Sequence, residues 1–242
     1  MKIEIVTHCY SGALPQFATF LRYQISSLLL FAPRTQVQFT VCYSSSDSAT
    51  RQAIAWGLQR SAGLLDLLPI DMLPARLFRR SIGRNMAARA TTADLVWFTD
   101  VDHYFGEGCL DSLAEQWGRY VEKPLMVWPR SLQISRNHQV GDRQWNEAPQ
   151  GKLLAIDPSD FVPKTYSRAI GGVQIVSGDY CRSIGYLAGH KKYQAPREDD
   201  RPFGDFKDDV VFRKQISLAG RVEPIELPGL YRLRHSQTTY QD

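Results

Sequence analysis

The chain has 242 residues, of which 43% are hydrophobic, and a formal net charge of +4 at pH 7. This apolar content can form a folded core, which excludes a globally disordered protein, and the length suits one large domain. The mildly positive charge is compatible with an anionic ligand or an anionic membrane surface but does not indicate nucleic-acid binding. No apolar run approaches the roughly 18 residues that a membrane-spanning helix needs.

The cysteines and the first residues bear on the cellular compartment. Glu4 interrupts the apolar stretch at the amino terminus, which predicts a first strand and not a signal peptide. No Cys-x-x-Cys pair occurs, so neither a zinc site nor a disulfide framework is expected. We therefore expect reduced thiols and a cytoplasmic location, with which peripheral association at the inner face of the membrane is compatible. The four cysteines are Cys9, Cys42, Cys109 and Cys181.

Predicted strands and helices alternate along the first half of the chain. Turn residues and apolar patterns predict strands at residues 2–7, 36–43, 64–70, 95–98 and 125–128. They predict helices at residues 17–31, from the 44–47 loop to about 61, and at 81–92 and 108–122. This order favours an α/β fold with a largely parallel sheet.

The pattern changes after residue 129. Residues 130–168 are polar and contain several prolines, which predicts irregular structure. A short strand at 170–177, a helix at 178–187 and a loop at 189–207 are expected next. A helix at 208–218 and a strand near 222–227 follow. No internal repeat or low-complexity linker separates the two halves, so we expect one compact domain.

A short apolar run that ends in two carboxylates is the most informative stretch of the chain. Leu95–Phe98 has the composition of a strand buried on both faces, and Asp100 and Asp102 follow it directly. Residues i and i+2 of an extended segment point the same way, so both acids can face one hard cation that holds a diphosphate. Acids in this position predict the ligand crevice of an open α/β sheet.

Arginines lie on the predicted helix just upstream of these acids. Arg84, together with Arg80, is expected to approach a phosphate or a nucleoside, because the forked donors of a guanidinium match phosphate oxygens. The alternative interpretation is an ordinary solvated helix face with scattered arginines.

Three later features complete the candidates, and each also has an ordinary structural interpretation. Gly171 and Gly172 either let a backbone approach a ligand closely or only flank a strand. Asp208 and Asp209 open a predicted helix, where one of them can act as a general base or both can serve as caps favoured by the helix dipole. His235 either completes a divalent-cation site, since Mn²⁺ accepts mixed oxygen and nitrogen ligands, or is structural.

In order and spacing, these features resemble the GT-A glycosyltransferases, nucleotide-sugar-dependent enzymes with an Asp-x-Asp metal motif. The resemblance is closest to inverting members of the family-2 and family-7 type and extends from Lys2 to about Ser236. Such enzymes carry an Arg-Asn helix, an Asp-x-Asp strand end, a Gly-Gly strand, a Trp-Gly-x-Glu-Asp type motif with a following Arg, and a late His. The matching residues are Arg84, Asn85, Asp100, Asp102, Gly171, Gly172, Phe203, Gly204, Asp208, Asp209, Arg213 and His235.

The resemblance implies a GT-A-like, Rossmann-like open mixed sheet, largely parallel and flanked by helices, in a single compact domain. Within residues 1–242, about 1–129 would bind the nucleotide sugar and about 130–242 the acceptor. The activity implied is metal-dependent, inverting transfer of a sugar to an acceptor hydroxyl, in glycan or polysaccharide biosynthesis. The donor would be a nucleoside-diphosphate sugar, with UDP-sugars favoured. The acceptor would be a glycan, a lipid-linked molecule or a protein, and no nucleic acid is expected as a partner.

The resemblance also implies roles for single residues. Asp100 would contact the ribose or the metal, and Asp102 and His235 would bind the metal, Mn²⁺ or Mg²⁺. Asp209, with Asp208 as the fallback, would be the general base. The nucleotide itself would lie near Thr7, His8, Asp47 and Arg84.

The acidic motif departs from the family pattern. Phe203 stands in place of the usual Trp, Asp208 in place of Glu, and extra residues separate Gly204 from the acidic pair. The departures leave open whether Asp208, Asp209 or Asp205 is the base.

Two other functions compete with this interpretation. A sugar-nucleotide nucleotidyltransferase should carry a Gly-rich, basic loop after the first strand, whereas residues 8–15 contain one Gly and no Arg or Lys. A non-catalytic carbohydrate-binding protein is the second alternative, because aromatic side chains in the middle of the chain could stack on sugars. These side chains are Trp128, Trp145 and Tyr166.

Overall fold

A computed structural model describes residues 1–136, 143, 151–197, 203 and 207–235. Its strands are β1 (Lys2–His8), β2 (Gln36–Tyr43), β3 (Asp66–Asp71), β4 (Leu95–Phe98), β5 (His103–Phe105), β6 (Met126–Pro129), β7 (Ser131–Ser135), β8 (Phe161–Thr165), β9 (Gln174–Ser177), β10 (Val222–Ile225) and β11 (Leu230–Arg232). The helices are α1 (Phe17–Leu30), α2 (Ser48–Ser61), α3 (Pro74–Leu77), α4 (Arg80–Ala90), α5 (Cys109–Arg119), α6 (Gly178–Ile184), α7 (Lys191–Gln194) and α8 (Asp208–Ala219).

A seven-stranded mixed sheet organises the fold, with the strand order β10-β6-β9-β4-β1-β2-β3. β1 pairs in parallel with both β2 and β4, and β2 pairs in parallel with β3. β9 runs antiparallel between β4 and β6, so a strand from late in the chain separates two earlier ones. The predicted α/β fold with a largely parallel, open mixed sheet is therefore confirmed.

The central strands form because their residues can be buried on both faces of the sheet. Leu95–Phe98 is wholly buried, as predicted for a continuous apolar run. One apolar cluster lies on the α1 and α5 side, around Phe20, Phe39 and Trp97. The other lies on the α6 and α8 side, around Phe98 and Phe212. With both faces covered, ligand access is left to the edge at the strand ends.

A second sheet of four strands, in the order β5-β11-β7-β8, corrects the expectation of irregular structure across residues 130–168. β7 and β8 lie within that range and pair antiparallel. The sequence hides them because both strands have only five residues and Pro163 lies inside β8. An edge strand tolerates a proline, which cannot donate to a ladder, and β8 is at an edge.

Gly178, at the start of α6, packs closely against the loop between α4 and β4. A Cβ on this residue would lie 1.9 Å from the backbone oxygen of Ala93, which cannot easily give way. We expect Gly178→Ala to lower the free energy of unfolding by about 1–3 kcal/mol or more, as overpacking does. Urea unfolding measures this effect.

Gly118 provides the matched control. It lies inside α5, and a Cβ there would meet no atom within 4 Å. Gly118→Ala should raise the free energy of unfolding by about 0.5–1 kcal/mol, because alanine costs less backbone entropy in a helix. Equal effects of the two substitutions would contradict the close packing at Gly178.

None of the helices among the described residues has the length and apolarity that a membrane crossing requires.

Candidate active site

The two acids of the Asp-x-Asp segment lie at the junction between the two sheets. β4 ends at Phe98 and β5 begins at His103, so Asp100 and Asp102 occupy the link. Asp100 has a side chain that is 25% exposed, whereas that of Asp102 is 4% exposed. Only Asp100 is therefore readily accessible to a ligand in this conformation.

Asp100 is paired with two arginines of α4. Its Oδ1 lies 3.0 Å from Nη1 of Arg80 and 3.5 Å from Nη2 of Arg84. Burial and the neighbouring Asp102 raise the pKa of Asp100, but Arg80 and Arg84 outweigh them and the pKa falls below its ordinary value. The carboxylate is thus ionised at neutral pH.

Asp102 is held from three sides. Nε of Arg232 donates to its Oδ2 at 2.9 Å, and Nδ1 of His103 lies 3.0 Å from its Oδ1. Nε2 of His235 lies 3.9 Å from the same Oδ2. Burial opposes ionisation of Asp102, but Arg232, His103 and His235 hold its pKa well below the usual range. The predicted metal ligands Asp102 and His235 are therefore neighbours.

The position of His235 depends on the second sheet and on α1. Its ring packs on Phe17 and Phe20, with centroids 5.5 and 5.9 Å away. The adjacent β11 pairs Arg232 with His103 of β5, which brings the segment up to His235 close to Asp102. Across the described ranges, no three His, Cys, Asp or Glu side chains are grouped closely enough to hold a metal ion by themselves.

The paired glycines separate the Asp-x-Asp segment from the acids of α8. A Cβ on Gly172 would lie 2.9 Å from Oδ2 of Asp100 and 2.5 Å from Cε1 of His103. A Cβ on Gly171 would lie 3.1 Å from Oδ2 of Asp209. Consecutive Cα atoms are about 3.8 Å apart, so Asp100 and Asp209 lie against neighbouring points of one backbone.

The two acids at the start of α8 differ in environment. Asp208 is 2% exposed, and its Oδ1 has no hydrogen-bond partner within the described residues. Asp209 is half-buried beside Gly171, and burial followed by the nearby Asp208 raises its pKa, against the opposing effect of Arg84 and Arg80. Asp209 is the more accessible of the pair. Asp205, the third candidate base, lies outside the described residues.

The two arginines of α4 are also unequal. Arg80 has a side chain that is 27% exposed, whereas that of Arg84 is completely buried. Arg84 donates to the hydroxyl of Tyr186 at 2.9 Å and to the carbonyl of Gly171 at 3.3 Å. Direct contact with a ligand at this surface is thus open to Arg80, while Arg84 supports the backbone and Asp100 from below.

The end of β1 buries both Thr7 and His8, and His8 lies next to α4. The imidazole of His8 packs so closely that a Cβ on Gly83 would lie 2.3 Å from its Nε2. Burial, followed by Arg84 and Arg80, lowers the pKa of His8 well below its ordinary value, so the ring is neutral. Neither nitrogen has a hydrogen-bond partner among the described residues.

Asp47 is the N-cap of α2, as the loop before that helix predicts. Its carboxylate accepts hydrogen bonds from the backbone and hydroxyl of Ser11 and from the hydroxyl of Thr50. Burial raises its pKa, but these hydrogen bonds lower it by more. The residue also lines a groove of about 530 Å³ beside the ends of β1 and β2. The other lining residues are Tyr10, Ser11, Gly12, Pro15, Ser46, Ser48 and Ala49.

Several residues that contact the candidates were missed by the sequence analysis. Arg232 and His103 both hold Asp102. The only sign of this in the sequence is weak: Arg232 is close to His235, and His103 directly follows Asp102. Tyr186 and Gln174 have none, because buried polar side chains in an apolar cluster look like ordinary core positions. Both are completely buried.

The aromatic side chains offered for sugar stacking are not gathered at a surface. Trp128 is buried in the cluster beneath α8, and Tyr166 is partly buried. Trp145 lies outside the described residues. The buried position of Trp128 therefore does not support the alternative of a carbohydrate-binding protein.

Comparison with known proteins defines the class by fold. The chain matches no protein-family profile, and no curated sequence is similar to it. Solved structures with a related fold are numerous. Two of them are 14% and 15% identical to the chain. Likeness at this identity establishes the fold, which is that of the GT-A type.

Two of these structures have TM-scores above 0.5. Residues 1–349 of TarS from S. aureus give a TM-score of 0.61 at 14% identity, over 96% of this chain and 60% of that one. The mannosyltransferase PcManGT from Pyrobaculum calidifontis, in complex with GDP-Man and Mn²⁺, gives 0.56 at 15% identity, over 97% and 57%. The chain thus spans about three-fifths of each of these structures.

Proposed function

We propose that this protein is a glycosyltransferase that moves a sugar from a nucleoside-diphosphate sugar to an acceptor hydroxyl. The observation that carries the proposal is that Asp100 and Asp209 lie against the adjacent Gly172 and Gly171, at the ligand edge of a GT-A type sheet. PcManGT, which shares the fold, was solved with a nucleotide sugar. The donor half of the reaction needs a diphosphate site, and the acceptor half needs a base.

In this proposal Asp102 and His235 bind a divalent cation that the donor completes, and the nearly buried carboxylate of Asp102 becomes accessible as the donor binds. Their donor atoms are 3.9 Å apart, whereas adjacent ligands about 2.0–2.2 Å from one ion are roughly 3 Å apart, so the two side chains must move closer as the ion binds. Mg²⁺ and similar ions are commonly bound by one or two carboxylates plus substrate phosphates. The Oδ2 that would bind the ion also accepts from Arg232, so that guanidinium must yield as the ion binds. A bound cation would neutralise charge on the departing diphosphate.

The protein's own groups supply the remaining functions. Arg80, on the accessible side of α4, can pair with phosphate oxygens, while Asp100 can accept from a ribose hydroxyl or join the cation site. The groove beside Asp47 can receive the base of the nucleotide. Asp209 takes the proton of the acceptor hydroxyl as the oxygen attacks the anomeric carbon. The bond to the diphosphate breaks on the opposite face, which inverts the configuration.

Binding and hydrolysis assays test this proposal. We expect one nucleoside-diphosphate sugar of a panel that includes UDP- and GDP-sugars to raise the melting temperature when Mn²⁺ is present. A ligand at 100 times its Kd adds about 2.7 kcal/mol of stability. The same donor should be hydrolysed slowly, faster with Mn²⁺ than with a chelator, and NMR of the transfer product should show an inverted anomeric configuration.

Other outcomes would assign the alternatives. Stabilisation by free saccharides but by no nucleotide sugar would indicate a carbohydrate-binding protein. Release of pyrophosphate from a nucleoside triphosphate and a sugar 1-phosphate would indicate a nucleotidyltransferase. Absence of binding and hydrolysis across the panel would refute the proposal.

A further inference from the structure

Arg84 is a completely buried cation that joins the two sides of the candidate site. Its Nη2 lies 3.5 Å from Oδ1 of Asp100 and 3.3 Å from the carbonyl oxygen of Gly171. Its Nη1 donates to the hydroxyl of Tyr186 at 2.9 Å. A guanidinium holds its partners in a fixed plane, so its position sets the distance between Asp100 and the glycine backbone.

The hydrogen bonds continue from Arg84 to α8. The hydroxyl of Tyr186 donates to Oε1 of Gln174 at 3.5 Å, the same length as the ion pair between Arg84 and Asp100. Nε2 of Gln174 donates to the backbone oxygen of Asp209 at 2.9 Å. Gln174 begins β9, which pairs with β4 directly before the Asp-x-Asp segment. The chain of bonds therefore runs from one candidate acid to the other through groups that solvent does not reach.

We propose that Tyr186 and Gln174 are positioning residues, which act through Arg84 and the backbone of Asp209 to hold the donor side and the acceptor side of the site in register. This inference rests on the proposed function. Neither side chain is exposed to a substrate, so both act indirectly. Because these groups are buried, the loss of one partner leaves the other without a hydrogen bond. Arg84 or the start of α8 is then less firmly held and can shift.

A purely structural role for Tyr186 is the competing interpretation. Its ring packs on Phe98 and Phe212, with centroids 4.9 and 3.9 Å away, and Arg84 lies over it at 5.3 Å. Tyr186→Phe keeps the ring and these contacts and removes only the hydroxyl. Gln174→Met similarly keeps most of the side-chain volume and removes both polar groups.

Tyr180 provides a matched control. It belongs to the same apolar cluster and is 9% exposed, and its hydroxyl accepts a hydrogen bond from Gln215 at 3.3 Å. Among the described residues, no hydrogen bond links that hydroxyl to Arg84. Tyr180→Phe therefore removes a part-buried, hydrogen-bonded hydroxyl from the same cluster without touching the proposed chain.

The test measures kcat and donor KM for the full chain, with the donor and metal identified by the panel. We expect Tyr186→Phe and Gln174→Met each to lower kcat about tenfold, the effect of one charged or buried hydrogen bond, with donor KM within about twofold of the wild type. Tyr180→Phe should change neither constant by more than about twofold. The double variant should be little worse than each single variant, since both cut one chain.

Wild-type kcat in folded Tyr186→Phe, or an equal loss in Tyr180→Phe, would overturn the proposal. Should the wild type itself show no turnover, the proposed function fails first. The hydrogen-bonded chain is then tested alone by urea unfolding of the same single and double variants. Non-additive losses of stability would support the chain, and additive losses would refute it.

Discussion

Asp209→Asn should lower kcat for sugar transfer by at least about a hundredfold, the low end of a general-base contribution. Donor KM should stay within about twofold, because the proposed nucleotide contacts are made by Arg80, Asp100 and the groove beside Asp47. Asp209 is half-buried beside Gly171, while Asp208 is buried. Steady-state kinetics under saturating donor would measure both constants.

The pH profile separates Asp209 from its neighbour. A base works only when ionised, so kcat falls as pH drops through its pKa, and burial and Asp208 raise the pKa of Asp209 above the ordinary value. Asp208→Asn removes a negative neighbour and should shift this acid limb to lower pH, whereas Asp209→Asn should remove it. An unshifted limb in Asp208→Asn would contradict the assignment of Asp209.

Asp111 provides the control for a helix-capping effect. It lies in the first turn of α5, and its carboxylate pairs with Arg34 at the surface. Asp111→Asn should cost a few tenths to about 1 kcal/mol of stability through the helix dipole and leave kcat unchanged. If Asp209→Asn behaves like Asp111→Asn, the acids of α8 only cap the helix, and Asp205 becomes the next candidate base.

The sequence predicts the strands and helices that depend on local patterns. Leu95–Phe98 and Gln36–Tyr43 have the predicted bounds, because each combines a continuous or alternating apolar run with clear turn residues on both sides. The cap at Asp47 is local in its bond from Thr50, three residues further on, whereas its bonds from Ser11 need the loop after β1 to lie beside α2.

The arrangement of the sheets depends on distant pairs, which one sequence does not display. β9 separates β4 from β6, and no local feature of Gln174–Ser177 specifies that position. The second sheet consists of strands of three to five residues, too short for an alternating pattern to stand out from a loop.

The burial of Arg84 shows why the candidate site was only partly predictable. Its sequence position on α4, four residues after Arg80, suggests an equal role at the surface. The structure instead buries it among partners that lie 87 and 102 residues away, at Gly171 and Tyr186. A charged side chain can be buried only when such partners are present, and they become visible only in the folded chain.

Asp102→Asn should abolish metal-dependent binding of the nucleoside diphosphate while leaving the fold intact. The amide retains the shape of the carboxylate but loses the charge that a divalent cation and Arg232 both require. We expect Mn²⁺ to strengthen nucleotide binding to the wild type at least about tenfold, or about 1.4 kcal/mol, and to have no effect on Asp102→Asn. Calorimetric titration with and without Mn²⁺ measures this difference.

Two companion variants identify what Asp102 contributes. His235→Gln should weaken the Mn²⁺ effect if the Nε2 atom 3.9 Å from Asp102 binds the ion, and should leave metal-free binding unchanged. Arg232→Gln removes the guanidinium that accompanies the same Oδ2 at 2.9 Å. Because this cation would compete with the metal ion, its loss should increase the affinity for Mn²⁺.

An Asp102→Asn variant that is folded and still responds to Mn²⁺ as the wild type does would refute the metal site. Arg232 would then be the cation that Asp102 serves to hold, and the diphosphate would be neutralised by arginine alone.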